Sequence, residues 1–318
     1  MTKFAILGYG FMGKKHHDAI KAKADATVVA IIDNCNIHHP ETEYFQSLDV
    51  FLEQKPDVDR VIIATPNYDH SISAQRLLEN GYDIFLEKPY CLSKKETETL
   101  QNLSHQLGRK IFFSHQNRYS PISKFLKKLI SEQKLGKIYM LQSNLFWSRG
   151  QNYYQPNSWK GKKATDGGTL YTQFFHFIDL IMWLFGDIEI KNVLAKTLKH
   201  QQYIEIEDTG TIAFEMKDNG AIGVLNFSTA VYEKNLESSM TIIAEKGTIK
   251  ISGQYFDEIE YCNIENFAPP LELPKSDNIS NLMENLTSEE CHPEGVKQSF
   301  KTVEKIEEIY RLASEQNP

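Results

Sequence analysis

The first third of the chain alternates short apolar runs with amphipathic stretches. The apolar runs predict β-strands over residues 4–7, 27–32, 60–64, 83–86 and 110–114. Apolar positions at helical spacing predict helices over residues 12–24, 69–80 and 94–107, the last preceded by an N-cap serine, Ser93. This alternation of strand and helix predicts a parallel sheet that is covered by helices on both faces.

The pattern changes after about residue 120. It predicts a helix over residues 122–133, a strand over 137–147, an apolar helix from about Gly168 and a final helix over 295–314 that packs back on the body. Five further strands are predicted over residues 189–195, 209–215, 221–228, 239–244 and 248–252, with a hairpin turn at Asp218-Asn219-Gly220. We therefore expect an α/β protein with a parallel-sheet domain over residues 1–120. Residues 121–318 are expected to form an α+β domain with a large, mostly antiparallel open sheet.

One face of such an open sheet needs cover, so we expect a homodimer or homotetramer.

The content of 41% hydrophobic and 24% charged residues is that of a globular protein, and 318 residues suffice for two cores. A net charge of −7 argues against nucleic acid and anionic membranes as partners. The most apolar window, residues 174–185, is too short to span a bilayer.

The cysteines stand singly along the chain, without the spacing of a disulfide framework or a zinc site. They are Cys35, Cys91, Cys262 and Cys291. No basic and apolar leader precedes the first predicted strand. These features predict a cytoplasmic protein that binds no metal.

A glycine-rich turn follows the first predicted strand and opens the first predicted helix. Its sequence, Gly8-Tyr9-Gly10-Phe11-Met12-Gly13, has the GxGxxG spacing that allows a tight turn and close approach of a pyrophosphate. Asp33 ends the second predicted strand, where its carboxylate can bind both hydroxyls of an adenosine ribose, which favours NAD over NADP. The alternative is a glycine turn followed by an ordinary surface aspartate. The order and spacing of the strand, the glycine turn, the helix and Asp33 together favour a Rossmann domain that binds NAD.

Motifs further along the chain resemble those of the Gfo/Idh/MocA oxidoreductases, the family of glucose-fructose oxidoreductase and inositol dehydrogenase. They are, in chain order, Ala64-Thr65-Pro66-Asn67-Tyr68-Asp69-His70, Glu87-Lys88-Pro89, Gln116-Asn117-Arg118-Tyr119, Ser158-Trp159-Lys160-Gly161, Asp166-Gly167-Gly168-Thr169-Leu170 and His176-Phe177-Ile178-Asp179. The resemblance covers nearly the whole chain and implies an NAD-dependent sugar oxidoreductase.

Lys88 follows a predicted parallel strand, and the carboxyl ends of such strands bind ligands in open α/β sheets. By position alone it could equally be a solvated loop charge. The resemblance implies that Lys88 lies beside the nicotinamide and the substrate hydroxyl, where an ammonium would stabilise a developing alkoxide.

His176 lies in a helix that is apolar almost all round, so its imidazole must find a partner inside the protein. Read alone, it is a hydrogen-bonded core histidine, whereas the resemblance implies an acid/base that meets Lys88 at an interdomain cleft. Thr172 precedes it by four residues, which on one continuous helix puts both side chains on one face. The family's commonest pattern has Asp at the position of Thr172 and Gly at that of Phe174, so Thr172 is expected only to position a hydroxyl or the imidazole. Asp179 either orients the ring or is a packing carboxylate.

The non-acidic residue at position 172 and the segments Ser148-Arg149-Gly150 and Asn152-Tyr153-Tyr154 resemble one branch of the family, the nucleotide-sugar 3-dehydrogenases that oxidise UDP-N-acetylglucosaminuronate for surface polysaccharides. Arginines could pair there with a carboxylate or diphosphate, and tyrosines could stack on a uracil or sugar face. The alternative is that these residues form the rim of a generic loop. A solvated basic face is expected for Lys160, Lys162 and Lys163.

The expected site residues fall into three sets. The catalytic set is Lys88, His176 and Thr172. The cofactor set, for NAD, is Gly8, Gly10, Phe11, Met12, Gly13, Asp33, Thr65, Pro66, Asn67, His70, Glu87, Lys88 and Gln116. The substrate set is Lys88, Arg118, Tyr119, Arg149, Tyr153, Thr172, Gln173 and His176.

The predicted function is NAD-dependent oxidation of a secondary ring hydroxyl, C3 of a nucleotide sugar such as UDP-N-acetylglucosaminuronate. Two alternatives stay open at this point. One is a dehydrogenase of a free sugar or inositol, and the other is a non-catalytic NAD-sensing regulator.

Overall fold

The computed structural model describes residues 1–37, 39, 42–156, 158–268 and 293–316. These residues form two compact units. The first contains residues 1–115 and the last helix up to Glu304, and the second contains residues 116–268 and the last helix from Lys305. The second unit begins at Gln116, slightly before the predicted boundary at residue 120. It includes the 3₁₀ turn Gln116–Tyr119 because this turn packs on the apolar helix of the second unit.

The first unit is built on a six-stranded parallel sheet. Its strands are β1 (Thr2–Leu7), β2 (Ala26–Ile32), β3 (Glu43–Phe45), β4 (Arg60–Ile63), β5 (Asp83–Leu86) and β6 (Ile111–Phe113). The order β3-β2-β1-β4-β5-β6 is that of a Rossmann fold. The helices are α1 (Phe11–Lys21), α2 (Leu48–Gln54), α3 (His70–Glu79) and α4 (Lys94–Leu107), with a 3₁₀ turn at Asn67–Asp69.

The predicted parallel sheet is therefore confirmed, and two elements were missed. The strand β3 contains only Glu43–Phe45 at the sheet edge, and α2 spans only Leu48–Gln54, so neither is long enough to establish a period. The predicted N-cap is present, since Ser93 Oγ accepts a hydrogen bond from the Glu96 N–H at 3.3 Å.

The second unit is built on a seven-stranded sheet. Its elements are α5 (Pro121–Ser131), β7 (Ile138–Phe146), α6 (Lys163–Asp166), α7 (Thr169–Thr172), α8 (Phe175–Phe185), β8 (Ile188–Lys196), β9 (Thr209–Met216), β10 (Ile222–Ser228), β11 (Glu237–Ala244), β12 (Gly247–Ser252) and β13 (Glu258–Ile264), and α9 (Pro293–Gln316) ends in it. The strand order is β13-β12-β11-β7-β10-β9-β8, and only β7 and β10 pair in parallel. The sheet is mostly antiparallel, as predicted, with β13 as an additional edge strand.

Aromatic side chains fix α8 on the inner face of this sheet. Trp147 lies edge-on to Phe174 and Phe177, and Phe174 also contacts Phe227 of β10. The prediction of one continuous helix from Gly168 is wrong, because the helix is interrupted after Gln173, where Phe174 has φ −114° and ψ 7°, and this divides α7 from α8. Thr172 and His176 consequently belong to different helices.

The outer face of the same sheet exposes apolar side chains in register. Met140 of β7 pairs with Ile222 of β10 on one side and with Ile243 of β11 on the other. These side chains are 36%, 64% and 41% exposed. An apolar stripe therefore crosses three neighbouring strands.

The turn between β1 and α1 depends on two close backbone approaches. Gly8 has φ +89°, and a Cβ atom there would lie 2.7 Å from the carbonyl oxygen of Ala64. A Cβ atom on Gly13 would lie 2.1 Å from the carbonyl oxygen of Gly8. By contrast, a Cβ atom on Gly10 would meet nothing within 4 Å. Gly8 and Gly13 are therefore required by the fold, whereas the fold alone does not require glycine at position 10.

We expect Gly13→Ala to lower the melting temperature by several degrees, because overpacking against backbone costs about 1–3 kcal/mol. The matched change Gly10→Ala makes no such overlap and should cost less than about 1 kcal/mol. Thermal unfolding followed by circular dichroism measures both. Equal melting temperatures for the two variants would contradict the close packing of α1 on the turn.

Candidate functional site

The carboxylate of Asp33, directly after β2, accepts two backbone hydrogen bonds. Its Oδ2 accepts from the Tyr9 N–H at 2.6 Å, and its Oδ1 from the Cys35 N–H at 2.8 Å. Each oxygen keeps a further lone pair for the hydroxyls of a ribose. The bond from Tyr9 ties this carboxylate to the glycine turn, so Asp33 and the start of α1 are held as one structure.

The N-terminus of α1 is suited to bind a pyrophosphate. Gly10 is its N-cap and supplies no side-chain hydrogen bond, so the first N–H groups of the helix, including those of Phe11 and Met12, have no side-chain cap. A Cβ atom on Gly10 would project into open space, where a dinucleotide could approach the backbone. The predicted cofactor residues of the glycine turn and Asp33 thus fit NAD.

Glu87, after β5, is 3% exposed and binds three donors from different elements. Its Oε1 accepts from His16 Nε2 of α1 at 2.6 Å and from Ser114 Oγ at 2.8 Å. Its Oε2 accepts from the backbone N–H of Lys88 at 3.0 Å. Glu87 therefore holds the backbone of Lys88 against α1 and the end of β6.

His70 is 1% exposed, and both of its ring nitrogens face backbone carbonyls. Nδ1 lies 2.7 Å from the carbonyl oxygen of Pro89, and Nε2 lies 2.8 Å from that of Thr65. Burial lowers the pKa of His70, and the two carbonyls oppose that shift. The two ring nitrogens thus join the loops after β4 and β5, so His70 positions both loops. Its contact with the cofactor stays a prediction.

The remaining predicted cofactor residues lie at the carboxyl ends of neighbouring strands. Thr65 and Pro66 follow β4, and Asn67 begins the 3₁₀ turn with its side chain buried. Lys88 follows β5 and is partly buried, and its peptide bond to Pro89 is cis. Gln116 begins the 3₁₀ turn of the second unit.

In the second unit, the hydroxyl of Thr172 donates to the carboxylate Oδ1 of Asp166. Asp166 is fully buried, and its Oδ2 accepts from the Gly161 N–H at 2.7 Å. The pattern to which the sequence was compared has aspartate at position 172, whereas this chain has threonine. In the structure the carboxylate of Asp166, six residues earlier, binds the Thr172 hydroxyl. Asp166 was not among the predicted site residues, although it opens the Asp166-Gly167-Gly168 motif.

A second carboxylate, that of the partly buried Glu207, fixes the start of α7. Its Oε1 accepts from the Thr169 N–H at 2.9 Å and from the Tyr310 hydroxyl at 2.6 Å. The Tyr310 hydroxyl in turn accepts from the Leu170 N–H at 2.9 Å. Burial raises the pKa of Glu207 to about 7. The last helix thereby reaches the segment that carries Thr172.

Arg118 forms a two-pronged ion pair with Asp179 of α8. The Nε atom donates to Oδ2 at 2.7 Å and Nη2 donates to Oδ1 at 2.5 Å, and Asp179 is 1% exposed. Asp179 therefore anchors Arg118. The two roles expected for Asp179, orienting the His176 ring or packing, did not include this ion pair. Because the guanidinium already binds Asp179, pairing with a substrate anion would require it to bind a second carboxylate or a phosphate as well. Neighbouring Tyr119 is mostly buried, which raises its pKa.

Arg149, Tyr153 and Gln173 are joined by hydrogen bonds. Arg149 Nε donates to Gln173 Oε1 at 2.7 Å, and Gln173 Nε2 donates to the Tyr153 hydroxyl at 2.5 Å. Lys160 Nζ lies 4.1 Å from the centre of the Tyr153 ring. Lys162 and Lys163 are exposed, as expected of a solvated face, but Lys160 is only partly exposed and belongs to this cluster.

His176 lies in the first turn of α8 and is 5% exposed. Gln173, three residues earlier, connects this turn to Arg149 and Tyr153. The structure thus gathers Thr172, Gln173, Arg149 and Tyr153 of the predicted substrate set around the break that precedes His176. The sequence pattern missed Asp166, Glu207 and Lys160, which become recognisable only through their contacts.

Other predictions concern the whole chain. In its described part, none of the helices has the length and apolarity needed to cross a membrane. Three cysteines, Cys35, Cys91 and Cys262, are unpaired, and Cys291 lies outside the described residues. The same residues contain no cluster of three or more potential metal ligands.

Two family models match most of the chain. Residues 2–115 match the oxidoreductase family with an NAD-binding Rossmann fold, and residues 124–250 match the GFO/IDH/MocA C-terminal domain. The first match covers the parallel sheet, and the second covers β7 to β11 and the start of β12 in the mostly antiparallel sheet.

Curated relatives are similar over part of their length. A 2,7-anhydro-N-acetylneuraminate hydratase from Mediterraneibacter gnavus is 28% identical over 78% of this chain and 66% of the relative. The scyllo-inositol 2-dehydrogenase (NADP⁺) IolW from Bacillus subtilis is 28% identical over 65% of this chain and 57% of the relative. The chain thus spans less than two thirds of the length of these two relatives.

A solved structure is similar over nearly the full length of both chains. It is the WlbA dehydrogenase from Bordetella pertussis in complex with NADH and UDP-GlcNAcA, with a TM-score of 0.89 and 29% identity. The likeness covers 99% of this chain and 96% of that one.

We expect the protein to bind NADH more tightly than NADPH, because the Asp33 carboxylate would repel a 2′-phosphate and Asn34-Cys35-Asn36 supplies no arginine to neutralise it. Asp33→Asn should weaken NADH binding by about tenfold and reduce the preference, because a charge-assisted bond to the ribose becomes a neutral one. Fluorescence titration with both reduced cofactors measures this. Equal or tighter binding of NADPH by the unmodified protein would refute it.

Proposed function

Because the chain belongs to the GFO/IDH/MocA oxidoreductase family, we propose that it is an NAD-dependent dehydrogenase of a nucleotide sugar. The reaction is oxidation of a secondary ring hydroxyl, at C3 of a substrate such as UDP-GlcNAcA, in surface-polysaccharide synthesis. The observation that carries this proposal is the likeness, over 99% of the chain, to a dehydrogenase in complex with NADH and UDP-GlcNAcA.

Bound NAD supplies the hydride acceptor, and the chain's own residues handle the proton. In the proposal, the Lys88 ammonium stabilises negative charge on the substrate oxygen, and the His176 imidazole takes up the hydroxyl proton. The backbone bond from Lys88 to Glu87 and the bond from His70 to Pro89 keep the lysine's loop in place.

Thr172 acts as a positioning residue in this scheme. Its single hydroxyl hydrogen is donated to Asp166, so toward a substrate hydroxyl the oxygen acts as an acceptor. A threonine cannot exchange a proton near neutral pH as an aspartic acid would, so the acid/base work falls to His176.

The likeness to IolW supports a second candidate, a dehydrogenase of inositol or another free polyol. The two candidates differ in whether the substrate carries a nucleotide. A panel of nucleotide sugars, free hexoses and inositols, assayed by NAD reduction, separates them. NADH binding without turnover on any of these would favour an NAD-sensing regulator.

Lys88→Met and His176→Asn should each lower kcat about a hundredfold or more while the Kd for NADH changes little, because both groups act in the chemical step. Stopped-flow reduction of NAD with the identified substrate provides the measurement. Lys95→Met, the same change at an exposed lysine of α4, is the control and should leave kcat unchanged.

Thr172→Ser should retain most of the rate, whereas Thr172→Val should lower it about twofold to tenfold, since one positioning hydrogen bond is worth about 0.5–1.5 kcal/mol. Near-normal turnover in both the Lys88 and the His176 variants would contradict the assignment of the chemistry.

We further propose that the outer face of the seven-stranded sheet forms a dimer or tetramer interface. The apolar stripe of Ile243, Met140 and Ile222 is exposed in a single chain and would be buried by a second copy.

Light scattering should therefore report a dimer or tetramer at micromolar concentration. Ile222→Lys should shift it toward the monomer, because a charge would be buried at the interface. Ile72→Lys changes a similarly exposed isoleucine, 55% against 64%, on α3 and should not alter the mass. A monomeric unmodified protein would refute the interface.

A further inference from the structure

Two cations of the second unit share one aromatic ring. Lys160 Nζ lies 4.1 Å and Arg149 Cζ lies 5.3 Å from the centre of the Tyr153 ring. The ring is largely buried, which raises the pKa of Tyr153 to about 12, so its hydroxyl stays neutral. The tyrosine therefore offers its π face to the cations but no negative charge.

Neither cation has an acidic partner in the described part of the chain. The acceptors of the Arg149 side chain are neutral: Gln173 Oε1 at 2.7 Å, the Ser148 carbonyl at 2.8 Å, Asn235 Oδ1 at 3.3 Å and the Tyr153 hydroxyl. Lys160 contacts the rings of Tyr153 and Trp159, and it forms no ion pair with any of the residues that the structure describes. The nearby carboxylate of Asp166 directs its oxygens to Gly161 and Thr172.

Two partly desolvated positive charges on one ring are unfavourable without a counter-ion. Burial lowers the pKa of Lys160, the nearby charge of Asp166 raises it, and the charge of Arg149, a smaller effect, lowers it. An anionic ligand group that reaches both side chains would form a charge-assisted contact with each of them.

The cation pair is attached to the segment that carries the proposed chemistry. Gln173 binds both Arg149 and Tyr153, and it lies directly after Thr172 and three residues before His176. Arg118, the other arginine considered for an anion, is paired with Asp179. The second unit therefore presents Arg149 and Lys160 as its anion-binding pair near the reactive segment.

We propose that Arg149 and Lys160 form the recognition site for an anionic group of the substrate, either a sugar carboxylate or a diphosphate. Lys160 is the specificity-determining residue of this pair. The inference rests on the proposed function in that it takes the substrate to be a sugar derivative.

The test is calorimetric titration of the NADH-loaded protein with three ligands, which requires no turnover. UDP-GlcNAcA carries both anionic groups, UDP-GlcNAc carries only the diphosphate, and free N-acetylglucosaminuronate carries only the carboxylate. The variant is Lys160→Met, which keeps the aliphatic stem on Tyr153, and Lys160→Arg keeps the charge. Lys162→Met, the same change at a neighbouring exposed lysine, is the control.

Lys160→Met should weaken UDP-GlcNAcA binding at least tenfold, since a charge-assisted contact is lost, while Lys160→Arg and Lys162→Met bind within about threefold of the unmodified protein. A parallel loss for the free acid but not for UDP-GlcNAc identifies the carboxylate as the group bound. A loss for UDP-GlcNAc but not for the free acid identifies the diphosphate.

Unchanged binding of UDP-GlcNAcA to Lys160→Met would overturn the inference, and so would an equal loss for all three ligands, which would indicate a distorted site. Oxidation of UDP-GlcNAcA by the unmodified protein is measured separately. If it is oxidised while Lys160→Met binds it normally, only the inference fails. If it is bound through Lys160 but not oxidised, only the proposed reaction fails.

Discussion

A buried carboxylate must be surrounded by hydrogen-bond donors, because removing its charge from water costs several kcal/mol that only those donors offset. This constraint organises the candidate site in both units. In the first unit, Glu87 recruits His16, Ser114 and the backbone of Lys88. One side chain thus connects the helix after the glycine turn, the end of β6 and the loop of the proposed catalytic lysine.

In the second unit two carboxylates, Asp166 and Glu207, bind donors of one short segment in the same way. Asp166 holds Gly161 and Thr172, and Glu207 holds Thr169 and the tyrosine of the last helix. The segment from α6 to α8 is irregular, with glycines and a break at Gln173, so backbone hydrogen bonds alone would not fix it. The carboxylates provide the rigidity that a site on such a segment requires.

Against this background the pair of Arg149 and Lys160 stands out by its charge balance. Arg118 has its carboxylate in Asp179, whereas Arg149 and Lys160 are held by neutral groups and an aromatic ring. No carboxylate forms an ion pair with either cation in the described part of the chain, although Asp166 lies close enough to raise the pKa of Lys160. The same contrast applies to the N-terminus of α1, which has no side-chain cap.

The parallel sheet, the glycine turn and the mostly antiparallel sheet could all be predicted from the sequence, because periodicity and glycine spacing are local properties. The sequence also identified Gly8, Gly13 and Asp33, whose roles follow from their distance along the chain to strand ends. The folded chain was needed to show that α7 and α8 are separate helices, that Asp179 pairs with Arg118, and that Asp166, Glu207 and Lys160 contact residues of the candidate site. Each of these depends on a contact between segments that are distant or irregular in the sequence, and no periodic pattern records which donor a buried charge will find.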